Sequence, residues 1–235
     1  MAKKRPILRR GNRGISLVEV LVAVAIIAIL AALVLPQVQR STEAGKNVRC
    51  LANLRQLGTG VMLFAADHDG ALPPSEEGES SGTYPGPVFG KVVTSAGPTW
   101  AEYIFKTYLD NDPRALQCPS KPREWTHSSR GLRPDYGINQ RLTPVNTASG
   151  YRQGMKLASL NRPATTILLG ESATPGGQNA RTGIYRILSY ADLHPRHKGP
   201  SVNVLYVDQH AESVKLDFSN PPADDQPLGR NQFVP

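Results

Sequence analysis

Only two cysteines occur in the 235 residues, Cys50 and Cys118, and they are too far apart to form a Cys-x-x-Cys redox motif. No serine sits in a Gly-x-Ser-x-Gly elbow, and no Gly-rich phosphate loop is present. Nucleophilic hydrolysis and nucleotide chemistry therefore have no visible carrier, and the chain is expected to be neither an enzyme nor the holder of a cofactor. There is no internal repeat. Acidic residues are missing from the first 18 positions, where Glu19 is the first to appear. The most consequential absence runs from Val20 to Leu35, which contains no polar side chain.

Those sixteen positions hold eleven large aliphatics and five alanines. Counted from Ile15 to Leu35, the run has 21 residues, enough at ~1.5 Å per residue to span the ~30 Å core of a bilayer as a helix. Glu19 lies near its start, where a charge costs less than at mid-membrane. On the residues alone, Glu19 is a helix-entry carboxylate that favours the positive end of the helix dipole. An intramembrane acid is also, by default, a functional residue with a partner. An ordinary secretory signal fits poorly, because the apolar core is too long, Ala23-Val24-Ala25 falls in its middle, and it ends in Leu33-Val34-Leu35-Pro36.

Before the run stand Lys3, Lys4, Arg5, Arg9, Arg10, Arg13 and then Gly14, with Glu19 as the fifth residue after Gly14. This arrangement resembles the class III signal of type IV prepilins and pseudopilins. The resemblance implies that a prepilin peptidase cuts between Gly14 and Ile15 and methylates Ile15. It also implies that Glu19 pairs with a neighbouring subunit's amino terminus during assembly. The family's usual residue after the cut is Phe, from which Ile15 departs conservatively.

The formal charge of +8 suggests nucleic acid or a membrane surface, but six of those charges belong to the leader, which leaves +2 for residues 15–235. No nucleic-acid partner is expected. The basic flank instead orients the chain, with the amino terminus cytoplasmic and everything after Pro36 outside. The expected location is the bacterial inner membrane, single-pass, with a periplasmic carboxy-terminal domain, and an extracytoplasmic filament after assembly.

The chain then divides into a leader (1–14), a transmembrane segment (15–35), an amphipathic continuation of the helix (36–66), a globular head (67–220) and a loose tail (221–235). Val48, Leu51, Leu54, Leu57, Val61 and Phe64 recur at helical spacing, with Arg49, Asn53, Arg55 and Gln56 opposite. One long helix is expected, with a possible kink at Pro36 and a weak point at Gly45, ending near Ala66 and packed on an antiparallel sheet. The fold class is α+β and pilin-like. Asp67-His68-Asp69-Gly70 reads as a helix-terminating turn; as a calcium loop it lacks the closing acid, since Gly78 stands at the twelfth position. Residues 75–98 read as a surface loop and Trp100 to Leu109 as a short helix. Thr165 to Glu171 and Gly183 to Leu188 read as strands, and Val202 to Val207 with Ala211 to Leu216 as a hairpin.

The head carries a second resemblance. Cys50-Leu-Ala-Asn-Leu-Arg-Gln-Leu-Gly, Asp69-Gly70, Pro73, Cys118-Pro119-Ser120, Tyr136-Gly137-Ile138-Asn139 and a closing His-to-Asp hairpin are similar to prepilin-type proteins named for a carboxy-terminal H-x9-DG motif. Here the motif is degenerate: ten residues separate His197 from Asp208, and Gln209 replaces the glycine. Gln tolerates a positive φ poorly, so a different turn type is expected. The resemblance implies a disulfide between Cys50 and Cys118, worth ~4 kcal/mol on the chain-entropy model. The residues alone also leave open two separate buried thiols, because sequence does not fix the distance between the alpha carbons.

His194, His197, Asp208 and His210 are the candidate metal set, weighed against the cationic, Pro-bounded loop that holds two of them; the expectation is no metal, with His197 hydrogen-bonded to the Asp208 loop. The functional expectation is a pseudopilin-like structural subunit of a type II secretion or type IV pilus-like filament. Its partners would be the prepilin peptidase, copies of itself and other pilin-like subunits, the inner-membrane assembly platform, and lipid before assembly. The alternatives are a membrane-tethered extracytoplasmic binding module that does not polymerise, and an extracytoplasmic metal-binding protein. Mass spectrometry of the mature chain separates these pathways. A methylated Ile15 terminus is the expected result, and an intact Met1 would mark a plain anchor.

Overall fold

The computed structural model describes residues 16–79, 84–85, 92–93, 99–120, 134–143, 145–147, 154–172, 186–187, 192–197 and 199–216. The leader, the cleavage pair Gly14 and Ile15, and the tail 221–235 lie outside the described residues. The chain divides into two compact units, Met1–Thr42 and Glu43–Pro235.

Helix α1 runs from Leu17 to Asp67, and Pro36 and Gly45 both lie inside it without interrupting it. The first unit holds its apolar part. Leu17, Ile27, Leu33 and Leu35 are each more than 60% exposed, and no large side chain between Leu17 and Leu35 is covered. A helix that is apolar all round has no water-compatible side, and needs lipid or other helices around it. Mean hydropathy reaches 3.1 in this span.

In the second unit α1 changes character. Cys50, Asn53, Leu54, Leu57, Gly58, Gly60, Val61, Phe64 and Ala65 are buried. The expected stripe is thus recovered from Leu54 onward, while Val48 is 66% exposed. Asn53, expected on the outer side, is buried and donates from Nδ2 to the Gln117 carbonyl at 2.9 Å. Its amide is tolerated there because that bond replaces water. The helix stops where the turn chemistry predicts. Asp69 and Gly70 adopt φ of 56° and 76°, and the Gly70 N–H donates to the Ala65 carbonyl at 2.8 Å. That left-handed closure satisfies a terminal carbonyl.

The head sheet has five strands in the order β7-β4-β6-β8-β9. They are β4 (Tyr136–Asn139), β6 (Ile167–Glu171), β7 (Arg186–Ile187), β8 (Ser201–Tyr206) and β9 (Ala211–Lys215). Neighbours are antiparallel except β4 and β7, which are parallel. The sheet is mixed rather than antiparallel throughout, because the chain passes through β6 before returning to β4, instead of folding back in a hairpin. The fold is α+β and pilin-like: a long amino-terminal apolar helix followed by this sheet.

Composition concealed several strands. Residues 75–98 contain β1 (Glu76–Glu79), β2 (Tyr84–Pro85) and β3 (Val92–Val93), with β1 paired in parallel to β5 (Val145–Thr147). Backbone groups pair whatever side chains they carry, so a Ser-, Gly- and Glu-rich stretch gives little sign of it. Strand β4 was hidden by its Gly and Asn, which are depleted in strands. Helix α2 (Trp100–Tyr108) forms as expected, capped by Thr99, whose hydroxyl accepts from the Glu102 N–H.

Two apolar clusters cover the sheet. Leu54, Leu57, Val61, Phe64, Trp100 and Ile104 pack with Ile138, Leu169 and Leu205 on the helical side, and Val202, Val204 and Tyr206 pack with Ile187 and Leu193 in the second cluster. Strand β8 is therefore buried on both faces, and Gly58 lets α1 approach it, since a Cβ there would meet Leu205 and Gln209. Leu57→Ala should destabilise the head by ~2–5 kcal/mol, whereas Val48→Ala should stay within about 0.5 kcal/mol. Denaturant titration checks both, and equal effects would contradict this burial pattern.

Candidate functional site

Two regions hold the residues singled out in the sequence. At the start of α1, Ser16 and Glu19 form a capping box: the Ser16 N–H donates to Glu19 Oε2 at 2.9 Å, and Ser16 Oγ lies 3.4 Å from the Val18 N–H. The carboxylate thereby satisfies one of the orphan donors of the first turn. In the single chain, Glu19 has the helix-entry role.

The second region lies inside the head. Cys50 comes from α1, Cys118 follows the short 3-10 turn Pro113–Leu116, Glu171 ends β6, and His197 precedes β8. Their ligand-type atoms all lie within 4.8 Å of one another. The His197 and Glu171 side chains are 3% and 0% exposed, and His197 Nε2 stands 2.8 Å from Glu171 Oε1. Cys118 Sγ is 3.4 Å from Glu171 Oε1 and 3.9 Å from His197 Nε2. The two cysteines are free buried thiols. Their sulfurs come together, as a bridge would require, within one four-residue cluster.

Each of three members is fixed from behind. The Asn203 backbone N–H donates to Glu171 Oε2 at 2.8 Å, Ser120 Oγ lies 3.3 Å from His197 Nδ1, and the Cys118 N–H donates to Asp135 Oδ2 at 2.9 Å. Asn203 Nδ2 also reaches the cluster, 2.9 Å from His197 Nε2, and lies 2.7 Å from Asn47 Oδ1. Behind the cluster, Arg196 donates to the carbonyls of Asp135 and Ser172 and stands near the Asp135 carboxylate. Burial works against charge on His197, but its hydrogen bonds to Cys118 and Glu171 outweigh that and raise its pKa to about 9. The hydrogen bond with Cys50, then burial, push the Cys118 thiol far up. Without a metal, the Cys118 thiol stays protonated and His197 is held as the imidazolium beside Glu171.

The four residues weighed in the sequence as a candidate metal set, His194, His197, Asp208 and His210, do not come together. His197 and Asp208 lie at opposite ends of β8, and six strand residues at ~3.3 Å each keep them apart. Asp208 and His210 occupy the hairpin turn, with His210 Nδ1 2.6 Å from Asp208 Oδ1 at an exposed position. His194 is half-buried, and burial with the nearby Arg196 charge lowers its pKa. The expected hydrogen bond from His197 to the Asp208 loop is absent among the described residues, because His197 turns to Glu171.

The hairpin turn is also corrected. Gln209 takes φ 74°, the left-handed conformation that a glycine would adopt there. The cost, roughly 1–2 kcal/mol, is offset locally. Gln209 Nε2 donates to the Val207 carbonyl at 3.3 Å, and the Asp208 side chain accepts from the His210 N–H at 3.1 Å.

Sequence reasoning passed over Glu171 and Asn203. Their signal was available: each is a polar residue in an apolar strand, Ile167-Leu-Leu-Gly-Glu171 and Val202-Asn-Val204. Such residues need partners once buried.

A family model described as a prokaryotic N-terminal methylation motif matches residues 9–35. The chain carries a prepilin-like leader. Leaders of this type are processed by a prepilin peptidase, and the proteins that carry them assemble with pilin subunits; together with the exposed apolar helix this one indicates a membrane-anchored, single-pass protein. No curated protein and no solved structure matches the chain.

The state of the cluster sets a pH dependence. With chelator present and the thiols reduced, the His197–Glu171 pair contributes stability fully below the ordinary histidine value of 6.5 and loses it as pH rises through about 9. Thermal melts of the reduced protein should fall across that window, and the fall should vanish in His197→Gln. A pH-independent melt would show that the imidazole is not held charged.

Proposed function

We propose that this protein is a pseudopilin-like structural subunit. It is cut after Gly14 by the prepilin peptidase, methylated on Ile15, stored in the bacterial inner membrane, and assembled into a type II secretion or type IV pilus-like filament. The observation that carries the reading is the conjunction of the matched leader with a helix whose apolar surface is exposed on every side from Leu17 to Leu35. Lipid covers that surface before assembly, and the same segments of neighbouring subunits cover it afterwards. The leader's Lys and Arg residues keep the amino terminus cytoplasmic and place the head in the periplasm. No catalytic step is assigned.

In this reading the head belongs with the H-x9-DG prepilin-type proteins, and its motif residues His197 and Asp208 serve different structural purposes. The assembly platform and other pilin-like subunits are the partners. Glu19 gives up its own-chain cap to meet the methylated terminus of a neighbour. In a dry helical bundle an unpaired carboxylate is costly, so the pairing selects one register of packing.

Two variants separate capping from charge. Glu19→Gln retains a group able to accept from the Ser16 N–H but carries no charge, and Glu19→Ala loses both. Both should insert into the membrane normally and yield no filament when fibres are sheared from cells and quantified. Normal fibre yield from Glu19→Gln would reduce Glu19 to a helix cap.

A further inference from the structure

We propose that Cys50, Cys118, Glu171 and His197 form a buried zinc site in the head. Four donor atoms from four separate segments converge within 4.8 Å: two sulfurs, one imidazole nitrogen and one carboxylate oxygen. Tetrahedral zinc with bonds of ~2.0–2.3 Å requires ligand-to-ligand edges of roughly 3.3–3.8 Å. The Cys118–Glu171 and Cys118–His197 edges, 3.4 and 3.9 Å, are already close to that range. The His197–Glu171 edge is a hydrogen bond of 2.8 Å. It has to open by about half an ångström when the shared proton leaves and both atoms turn to the metal.

The surroundings favour a metal over a simple ion pair. Ligand atoms face inward because their other polar atoms are held from behind: Glu171 Oε2 by the Asn203 N–H and His197 Nδ1 by Ser120 Oγ. Such outer contacts select the imidazole tautomer and orient the carboxylate in metal sites. Asn203 supplies a further sign. Its Oδ1 is buried and has no partner among the described residues, while its Nδ2 faces the same imidazole nitrogen that points to Glu171.

A Cys50–Cys118 disulfide would use the two sulfurs and leave Glu171 and His197 only their mutual ion pair. The donor set also suits zinc: thiolate and imidazole together select it over magnesium and calcium, which take oxygen ligands. Binding displaces one proton from each thiol and one from His197 Nε2, so Zn²⁺ enters and three protons leave. Two thiolates, one carboxylate and the dication then leave a single negative charge on the site, beside the Asn203 N–H. Because the four ligands come from α1, the Cys118 loop, β6 and the segment before β8, the metal would clamp the helix to the sheet in a head with few other cross-links. Binding to the folded state alone stabilises that state by mass action.

The test uses the full-length chain in detergent, purified without chelator under conditions that preserve its native thiol state. Elemental analysis should give about one zinc per chain, alkylation before and after chelation should show both thiols protected and then exposed, and replacing zinc by Co²⁺ should produce a thiolate-to-cobalt charge-transfer band. Cys118→Ser and His197→Ala should each lower the zinc content at least tenfold. The wild-type cobalt spectrum decides the matter even if those variants fail to fold. Zinc far below stoichiometric in reduced protein supplied with Zn²⁺, or a native Cys50–Cys118 disulfide found by mass spectrometry, would overturn the site. Neither result bears on filament assembly, which Glu19 variants test separately.

Discussion

An apolar helix with no face for water is the constraint from which the other properties of this protein follow. Between Leu17 and Leu35 every large side chain is exposed. At roughly 25 cal/mol per Å² of apolar surface, leaving it so in water is prohibitive. Only two environments remove that penalty, a bilayer and a bundle of similar helices. A segment able to use both can be stored in one and transferred to the other. The single acid in this span, Glu19, is placed in the first turn, where its own backbone provides a donor and the helix dipole favours its charge. It can therefore be carried within lipid at low cost.

In the head the constraint is ordinary core formation, and it fixes the polar cluster as a by-product. Leu54, Leu57, Val61 and Phe64 must be buried, and packing them against β4, β6 and β8 sets the rotation of α1 about its axis. Cys50 lies one turn before Leu54, so that rotation also turns its sulfur inward. The antiparallel pairing of β6 with β8 places the end of one strand beside the other, which brings Glu171 to Asn203. None of these contacts is local. The nearest pair in sequence within the four-residue cluster, Glu171 and His197, is 26 residues apart.

The head also shows where polar groups are permitted in an interior. Asn53, Glu171 and Asn203 are buried, and each has hydrogen-bond partners on a different segment. These bonds contribute less to stability than to specificity, because a shifted register would leave charged and polar groups without partners. Gln209 follows the same logic in a turn, where side-chain contacts maintain a backbone conformation that its residue type disfavours.

What the chain determines by itself is whatever depends on near neighbours. Apolar run length, the basic flank, the Glu19 position, the helical stripe after Val48, the stop at Asp69-Gly70 and the closing hairpin are all local patterns of period or turn chemistry, and they were legible. So was the idea that the two cysteines meet, though only through family likeness. The parallel β4–β7 edge, the pairing of β1 with β5, the separation of His197 from Asp208 and the gathering of Glu171 with His197 and both thiols were not legible. Each depends on which distant segments become adjacent, and that is decided by how the helix and sheet bury their apolar faces against each other. A histidine's nearest neighbours in sequence do not identify its partners when a six-residue strand carries them to the opposite end of the sheet.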